Sequence, residues 1–314
     1  MNLKQLIERY ISYRQRLGER FHDSAFILRA FARSIGSQAD VGDVHTEQIA
    51  TFLAGTGPLT NTWHNKYQAL LGFYRFAKSR GHVTEVPLPA KPPKRLPPFV
   101  PYIYSRDELR LLLDTAGRYQ RGECSFDPVA FRTMLLLLYG TGLRDGEIVR
   151  LNRDDVDLDT SLLTVRHSKF HKSRLVPFGP QVSRALTEYA ASRTAPVTQL
   201  GDDVPFFTTR KGTRVVLNTL QAHFRRVRAL SGIQRSDGAR YQPRLHDIRH
   251  SFAVHRLTSW YQQGVDVQKM VAHLSVYLGH AHLADTQVYL SMTPDLLRQA
   301  NARFECYAEK GRRP

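Results

Sequence analysis

Residues 245–250 read LHDIRH and residues 277–290 read YLGHAHLADTQVYL. In the first piece His246 and Arg249 stand three residues apart, one helical turn, so both leave one face of one helix. In the second, His280 and Tyr289 stand nine residues apart. Along a continuous helix that is about two and a half turns, which puts the two on opposite faces. They meet only if the chain breaks between them, and Gly279 with a cap-like Asp285 supplies such a break. The stretch therefore reads as a fixed clamp around LHDIRH and a short separate segment that carries Tyr289. A phenol has a pKa near 10, so it needs cationic neighbours to act as a nucleophile at neutral pH. What the stretch does depends on which cations lie upstream of it.

Two stand out. Arg144 lies in TGLRDGE, directly after a glycine pair that permits a tight backbone. A guanidinium fork matches the oxygens of a phosphate and stays charged at any working pH. Arg144 and Arg249 aimed at one phosphate would stabilise the extra charge of a pentavalent transition state. Lys169 is at the tip of a hairpin, SKFHKSRLVP (168–177), where a lysine can swing onto a leaving oxygen and donate a proton. Taken singly, each has an ordinary reading: a surface charge, a satisfied helix histidine, a core tyrosine. The combination and its order within one domain carry the weight.

Composition agrees with a polyanionic partner. The chain has 314 residues, with 45 Lys+Arg against 28 Asp+Glu, a net charge of +17 and a pI of about 10.1. Nucleic acid is the first candidate for a globular chain this basic. Its two cysteines, Cys124 and Cys306, make neither a disulfide framework nor a cysteine zinc site and suit a reducing cytoplasm. The N-terminus is too charged for a signal peptide, and the longest apolar run, MLLLLY at 134–139, is far short of a membrane span. A cytoplasmic, nucleoid-associated protein is expected, with no membrane partner.

The length suggests two domains. Residues 1–86 read as all helix. Leu3, Leu6, Ile7, Tyr10 and Ile11 line one face, Phe26 and Phe31 mark a second helix, Thr46 caps a third, and Trp63, Tyr67, Leu70 and Tyr74 form a fourth stripe. Lys66, Arg75 and Lys78 lie around that stripe and, as a group, read as contacts to DNA phosphates. Residues 87–101, PLPAKPPKRLPPFVP, hold seven prolines and read as an extended linker that reaches roughly 45 Å, enough to pass around a duplex. Lys91, Lys94 and Arg95 make that linker a cationic strap.

The second domain, 102–314, opens on a capping box, Ser105 to Glu108. A helix from Asp127-Pro128 runs through MLLLLY to Gly140 and Gly142, and a short helix starts at Arg144. DVDLD, SLLTVRHS and SRLVPF alternate apolar and polar residues, which predicts a three-stranded antiparallel sheet. Lys172 and Arg174 at its hairpin are further candidate DNA contacts. Helices follow at 180–193, 217–231, 246–260 and 266–278, and a last amphipathic one spans 294–307 with Leu296, Leu297, Ala300 and Phe304 on one face. The expected fold class is mainly α with a small antiparallel β-sheet (α+β).

TGLRDGEI, KFHKSRLVP, LHDIRHSFA, YLGH and DTQVYL together resemble the tyrosine recombinase (phage integrase) family across the whole second domain. The helical first domain is similar, more weakly, to that family's core-binding domain. The resemblance implies a site-specific recombinase that cleaves and rejoins DNA through a 3′-phosphotyrosyl bond and a Holliday junction, with neither ATP nor metal. It assigns Arg144, His246, Arg249 and His280 to the scissile phosphate, Lys169 to the leaving 5′ oxygen and Tyr289 to the attack. His246 is also a candidate proton acceptor. It implies two copies on each DNA site and a tetramer at synapsis, with the last helix docked on a neighbouring subunit rather than packed in cis. Whether a second recombinase takes part is left open. Ser168 and Phe170 flank Lys169 where the family often has glycines, so Lys172 stays an alternative acid. The long span from Arg249 to His280 resembles recombinases carried on transposons and other mobile elements.

Other classes leave other traces. His246 and His250 are spaced as in a zinc helix, but Asp247 replaces the glutamate such a site uses and Arg249 sets a cation beside the metal. A tyrosine-type topoisomerase and a DNA-binding regulator that has lost catalysis fit the same fold.

Overall fold

The computed structural model describes residues 2–36, 38–56, 59–95, 99–119, 127–166, 173–193, 203–291, 298 and 301. They fall into two compact units, Met1–Phe99 and Val100–Pro314.

The first unit is built from α1 (Leu3–Arg16), α2 (His22–Ile35), α3 (Thr46–Ala54) and α4 (Asn61–Ser79). Leu3, Leu6, Ile7, Tyr10 and Ile11 all bury, as the helical spacing predicts, against Phe31, Phe73 and Tyr74. Gly72 admits the Tyr10 hydroxyl, which would lie 2.6 Å from a Cβ there. Thr46 is the first helical residue of α3 rather than its cap; His45 takes the cap position, and its N–H donates to the Gln48 side chain at 2.9 Å. The proline-rich segment does not start as a free tether. Leu88 packs on this core and the Tyr67 hydroxyl donates to the Pro89 carbonyl at 3.0 Å. Apolar contact and a buried hydroxyl hold its first residues to the unit.

The second unit opens on the predicted capping box. The Glu108 N–H donates to Ser105 Oγ at 3.1 Å, and the Ser105 N–H to Glu108 Oε2 at 2.7 Å. From there α5 (Arg106–Arg118) leads to α6 (Pro128–Thr141), which is buried around most of its circumference and packs against α5, α8 and α10. A helix apolar all round belongs at the centre of a core. After α7 (Asp145–Ile148) come β1 (Val156–Asp157), β2 (Leu162–Val165) and β3 (Arg174–Pro177), antiparallel in the order β1-β2-β3. Val165 pairs with Arg174 as the last rung of the β2–β3 ladder among the described residues. The strand expected over DVDLD is only two residues long, because the Asp157 carboxylate accepts the N–H groups of Asp159 and Thr160 and turns the chain.

The unit then continues through α8 (Pro180–Ser192), α9 (Leu217–Leu230), α10 (Asp247–Gln262), α11 (Val267–Leu278) and α12 (Ala284–Gln287) to a 3-10 turn, Val288–Ser291. Phe252, Leu257, Val271, Leu278 and Tyr289 form a core of their own. The fold is mainly α with one small antiparallel sheet. The hairpin tip with Lys169 and Lys172, and the expected helix 294–307 apart from residues 298 and 301, lie outside the described residues. Among the described residues no helix is long and apolar enough to cross a membrane.

Candidate active site

The turn after α6 is made for close approach. Gly142 has φ +62°, and a Cβ there would lie 2.5 Å from the Phe252 ring. Only glycine meets both conditions. That turn delivers Arg144 to the N-terminus of α7. One Arg144 nitrogen donates to Glu147 Oε1 at 2.8 Å and another to the Gly279 carbonyl at 2.7 Å. Arg174, from β3, grips the same carboxylate with both terminal nitrogens, at 3.0 and 2.8 Å, and sends Nε to the Tyr277 carbonyl at 3.0 Å. Glu147 is buried, which by itself would raise its pKa, yet Arg174 and then Arg144 bring it down to about 2. The carboxylate stays ionised and spaces two guanidinium groups.

Arg249, in the first turn of α10, is only 3% exposed. It donates to the Gly142 carbonyl at 2.6 Å and the Leu278 carbonyl at 2.7 Å. Burial, with Arg144 as a second cause, lowers its pKa to about 10, so it stays charged at neutral pH. His246 caps the same helix, and its Nδ1–H donates to Asp145 Oδ1 at 3.2 Å. Asp145 also accepts from Gln221 at 2.9 Å. Burial would raise this carboxyl, but the bonds from His246 and Gln221 outweigh it and lower it to about 2. An ionised Asp145 fixes the His246 tautomer with its proton on Nδ1.

The break required between His280 and Tyr289 is present. Gly279 ends α11 in the left-handed conformation at φ +68°, and α12 with the 3-10 turn brings Tyr289 back. Asp285 is not the cap expected of it; it lies inside α12, after Leu283. The rings of His280 and Tyr289 stack with centroids 6.1 Å apart at 29°. His280 Nδ1 pairs with Thr286 Oγ1 at 2.6 Å. Burial first, then Arg249 and Arg144, lower its pKa to about 4, so the ring is neutral. Tyr289 is 3% exposed, and its hydroxyl is 3.1 Å from His250 Nδ1. Burial raises the phenol's pKa, and Arg249 and Arg144 oppose that rise without overcoming it.

Comparison with known proteins gives this arrangement a family. The family model described as phage integrase matches residues 104–295. The chain belongs to the phage integrase family. It is a tyrosine recombinase, and its relatives extend along the whole chain. A putative integrase/recombinase, y4rE, of Sinorhizobium fredii is 38% identical, over 96% of this chain and 95% of the relative. The tyrosine recombinase XerA of Thermococcus kodakarensis is 29% identical, covering 83% of each. Among solved structures, the Tn1549 transposon integrase in complex with a circular intermediate DNA is 16% identical, with a TM-score of 0.69, and covers 97% of this chain and 99% of that one. At that identity the likeness speaks for the fold.

In this recombinase the fold brings Arg144, His246, Arg249, His280 and Tyr289 together at the α7, α10 and α11–α12 ends. Two of the other expected DNA contacts are engaged within the protein. Lys66 Nζ donates to the Phe52 carbonyl at 2.6 Å and lies 4.6 Å from the Phe52 ring centroid, so it ties α4 to α3. Arg174 is bound to Glu147, as above, and its side chain is 11% exposed. Both placements have one cause: tertiary packing set an acceptor within reach of a cation that looks free in sequence. Arg75, Lys78, Lys91, Lys94 and Arg95 are exposed.

Sequence reading missed Glu147, Asp145, Thr286 and His250. Glu147 is three residues after Arg144, a spacing that announces a helical ion pair. In sequence His250 reads only as half of a zinc pair. In the fold its ring meets that of His246 edge-on, 5.1 Å between centroids, and among the described residues no group of three His, Cys, Asp or Glu is placed to hold a metal ion.

Proposed function

We propose that the chain cleaves and rejoins DNA at specific sites, with Tyr289 attacking the scissile phosphate to form a 3′-phosphotyrosyl bond. The observation that carries this reading is the burial of the Tyr289 phenol beside Arg249 and His280. Arg144, Arg249 and the neutral ring of His280 bind the non-bridging oxygens, and His246, its Nδ1–H held by Asp145, joins them at the phosphate and accepts a proton there. A bound phosphate diester adds negative charge that the two arginines neutralise and that the transition state increases. Lys169 protonates the leaving 5′ oxygen, with Lys172 as the alternative. The bond energy is kept in the phosphotyrosyl ester, so a 5′ hydroxyl reverses the step without ATP or metal.

Exchange through a Holliday junction, two copies per site and a tetramer at synapsis complete the proposal. Arg75, Lys78, Lys91, Lys94 and Arg95 bind backbone phosphates, so that the first unit and the proline-rich segment embrace the duplex. Service to a mobile element is supported by the long Arg249–His280 span and by the likeness to a transposon integrase fold.

A pool of nicked duplexes with randomised arms tests the chemistry on whichever sequence the protein selects. The wild type should capture members as denaturant-resistant adducts, and Tyr289→Phe should bind the same sequences and capture none. A wild type that binds but never forms an adduct supports the silent regulator. Relaxation of supercoiled plasmid without site preference supports the topoisomerase.

A further inference from the structure

His250 has no part in the scheme above, yet its side chain meets the hydroxyl of Tyr289 at hydrogen-bond distance. It follows Arg249 on α10, and its Nδ1 lies 3.1 Å from Tyr289 Oη with ring centroids 5.6 Å apart at 58°. The ring of His246 meets it edge-on.

Arg249 acts on the phenol oxygen through its charge and as a hydrogen-bond donor, and a guanidinium has no acceptor. It therefore uses a lone pair of Oη and leaves the O–H to be donated elsewhere. His250 sits where that proton points. Burial, followed by the neighbouring His246, Arg244, Arg249 and His280, lowers the imidazole's pKa to about 3. A neutral imidazole holds one proton; with Nδ1 as acceptor that proton is on Nε2. A ring this reluctant to take a charge does not remove a proton from a phenol whose own pKa is raised. The pair is a hydrogen bond rather than a proton transfer.

We propose that His250 is a positioning residue for the Tyr289 hydroxyl: Nδ1 accepts the O–H and so fixes its rotamer, turning an oxygen lone pair toward the phosphate site. The O–H of a phenol has two in-plane settings, and a bond to His250 Nδ1 selects one of them. Fixing the rotor before DNA arrives removes that disorder from the chemical step. The inference rests on Tyr289 being the nucleophile, as proposed above.

The test compares His250→Phe, which keeps ring volume and lacks the acceptor, with His250→Asn, which returns an acceptor oxygen near the Nδ1 position. Wild type and variants are assayed on a nicked duplex captured from the randomised pool. His250→Phe should bind it with wild-type affinity and form the Tyr289 adduct about 10- to 100-fold more slowly, as small misplacements of reacting groups do. His250→Asn should regain most of that rate. Adduct formation by His250→Phe at the wild-type rate would overturn the proposal. So would a His250→Asn protein that binds normally and is as slow as His250→Phe. In DNA-free protein labelled with 13C at tyrosine Cζ, the Tyr289 resonance should move in His250→Phe and return in His250→Asn. An unmoved resonance counts against the hydrogen bond even if one variant folds poorly. Absence of any wild-type adduct, with the resonance responding as expected, would sink the nucleophile reading and leave the contact standing.

Discussion

Arg144 donates to the carbonyl of Gly279 at 2.7 Å, and Gly279 is the residue at which α11 stops before the chain turns toward His280 and Tyr289. Arg249 holds the preceding carbonyl, that of Leu278, at 2.7 Å. The two arginines proposed to grip the phosphate thus also hold the root of the segment that carries Tyr289. Replacing either should disturb both charge and geometry. Arg249→Lys keeps the charge but cannot span the Gly142 and Leu278 carbonyls as a planar fork. Adduct formation should fall about 100- to 1,000-fold, while DNA binding changes little. Equal rates for the two proteins would remove Arg249 from the chemistry.

Glu147 is the counter-charge for Arg144 and Arg174, and its side chain is only 2% exposed. Glu147→Gln leaves two guanidinium groups beside a neutral amide in a nearly dry pocket. Removing one member of a buried charge cluster costs about 3–5 kcal/mol. Denaturant unfolding of the whole chain should show the second unit melting earlier by about that amount. A midpoint equal to wild type would mean that the pair contributes no net stability.

Acid should destabilise the protein in two stages. His280 and His250 have folded pKa values near 4 and 3, below the 6.5 of an unfolded histidine. Their depressed values give stability that is complete above about pH 6.5 and declines as the pH falls, because the unfolded chain binds protons first. Glu147 and Asp145, both near 2 against ordinary values of 4.5 and 3.8, add a second loss that begins below about pH 4.5. Melting temperature against pH should therefore start to fall near 6.5 and steepen near 4.5. His280→Asn should shrink the first stage to the share of His250 and leave the second. A flat profile down to pH 4.5 in the wild type would contradict the neutral-ring assignment.

Gly142→Ala places a methyl 2.5 Å from the Phe252 ring at a left-handed φ. Overpacking and backbone strain together should cost about 1–3 kcal/mol. Cleavage should suffer too, because the Gly142 carbonyl is one of the acceptors that hold Arg249. Melting temperature and adduct yield, measured on the same preparation, check both.

Lys66 and Arg75 look alike in sequence and should behave differently. Lys66→Ala should lower the stability of the first unit and leave the salt dependence of DNA binding unchanged, since its ammonium is spent on Phe52. Arg75→Ala should leave stability alone and reduce the salt slope by about 1. Titrations at several salt concentrations, paired with melting curves, separate the two.

The helices and the sheet were readable because their signals are local. The spacing of Leu3, Leu6, Ile7, Tyr10 and Ile11, the capping box of Ser105 and Glu108, and the Asp127-Pro128 start depend on neighbours within a turn or two of chain. The order of the cationic residues and of Tyr289 after them pointed to phosphate chemistry, and the need for a break before Tyr289 followed from helical geometry alone. The roles of Lys66, Arg174 and His250 were not readable, because each is set by a partner distant in sequence. Phe52 is 14 residues from Lys66, Glu147 is 27 from Arg174, and Tyr289 is 39 from His250. Local sequence determined which residues this protein has available for holding a phosphate. Only packing decided which cations remain outward-facing, which are consumed as internal clamps, and which ring meets the Tyr289 hydroxyl. A side chain's charge is written in the sequence, whereas its free hydrogen-bonding capacity depends on what the fold brings within about 3 Å of it.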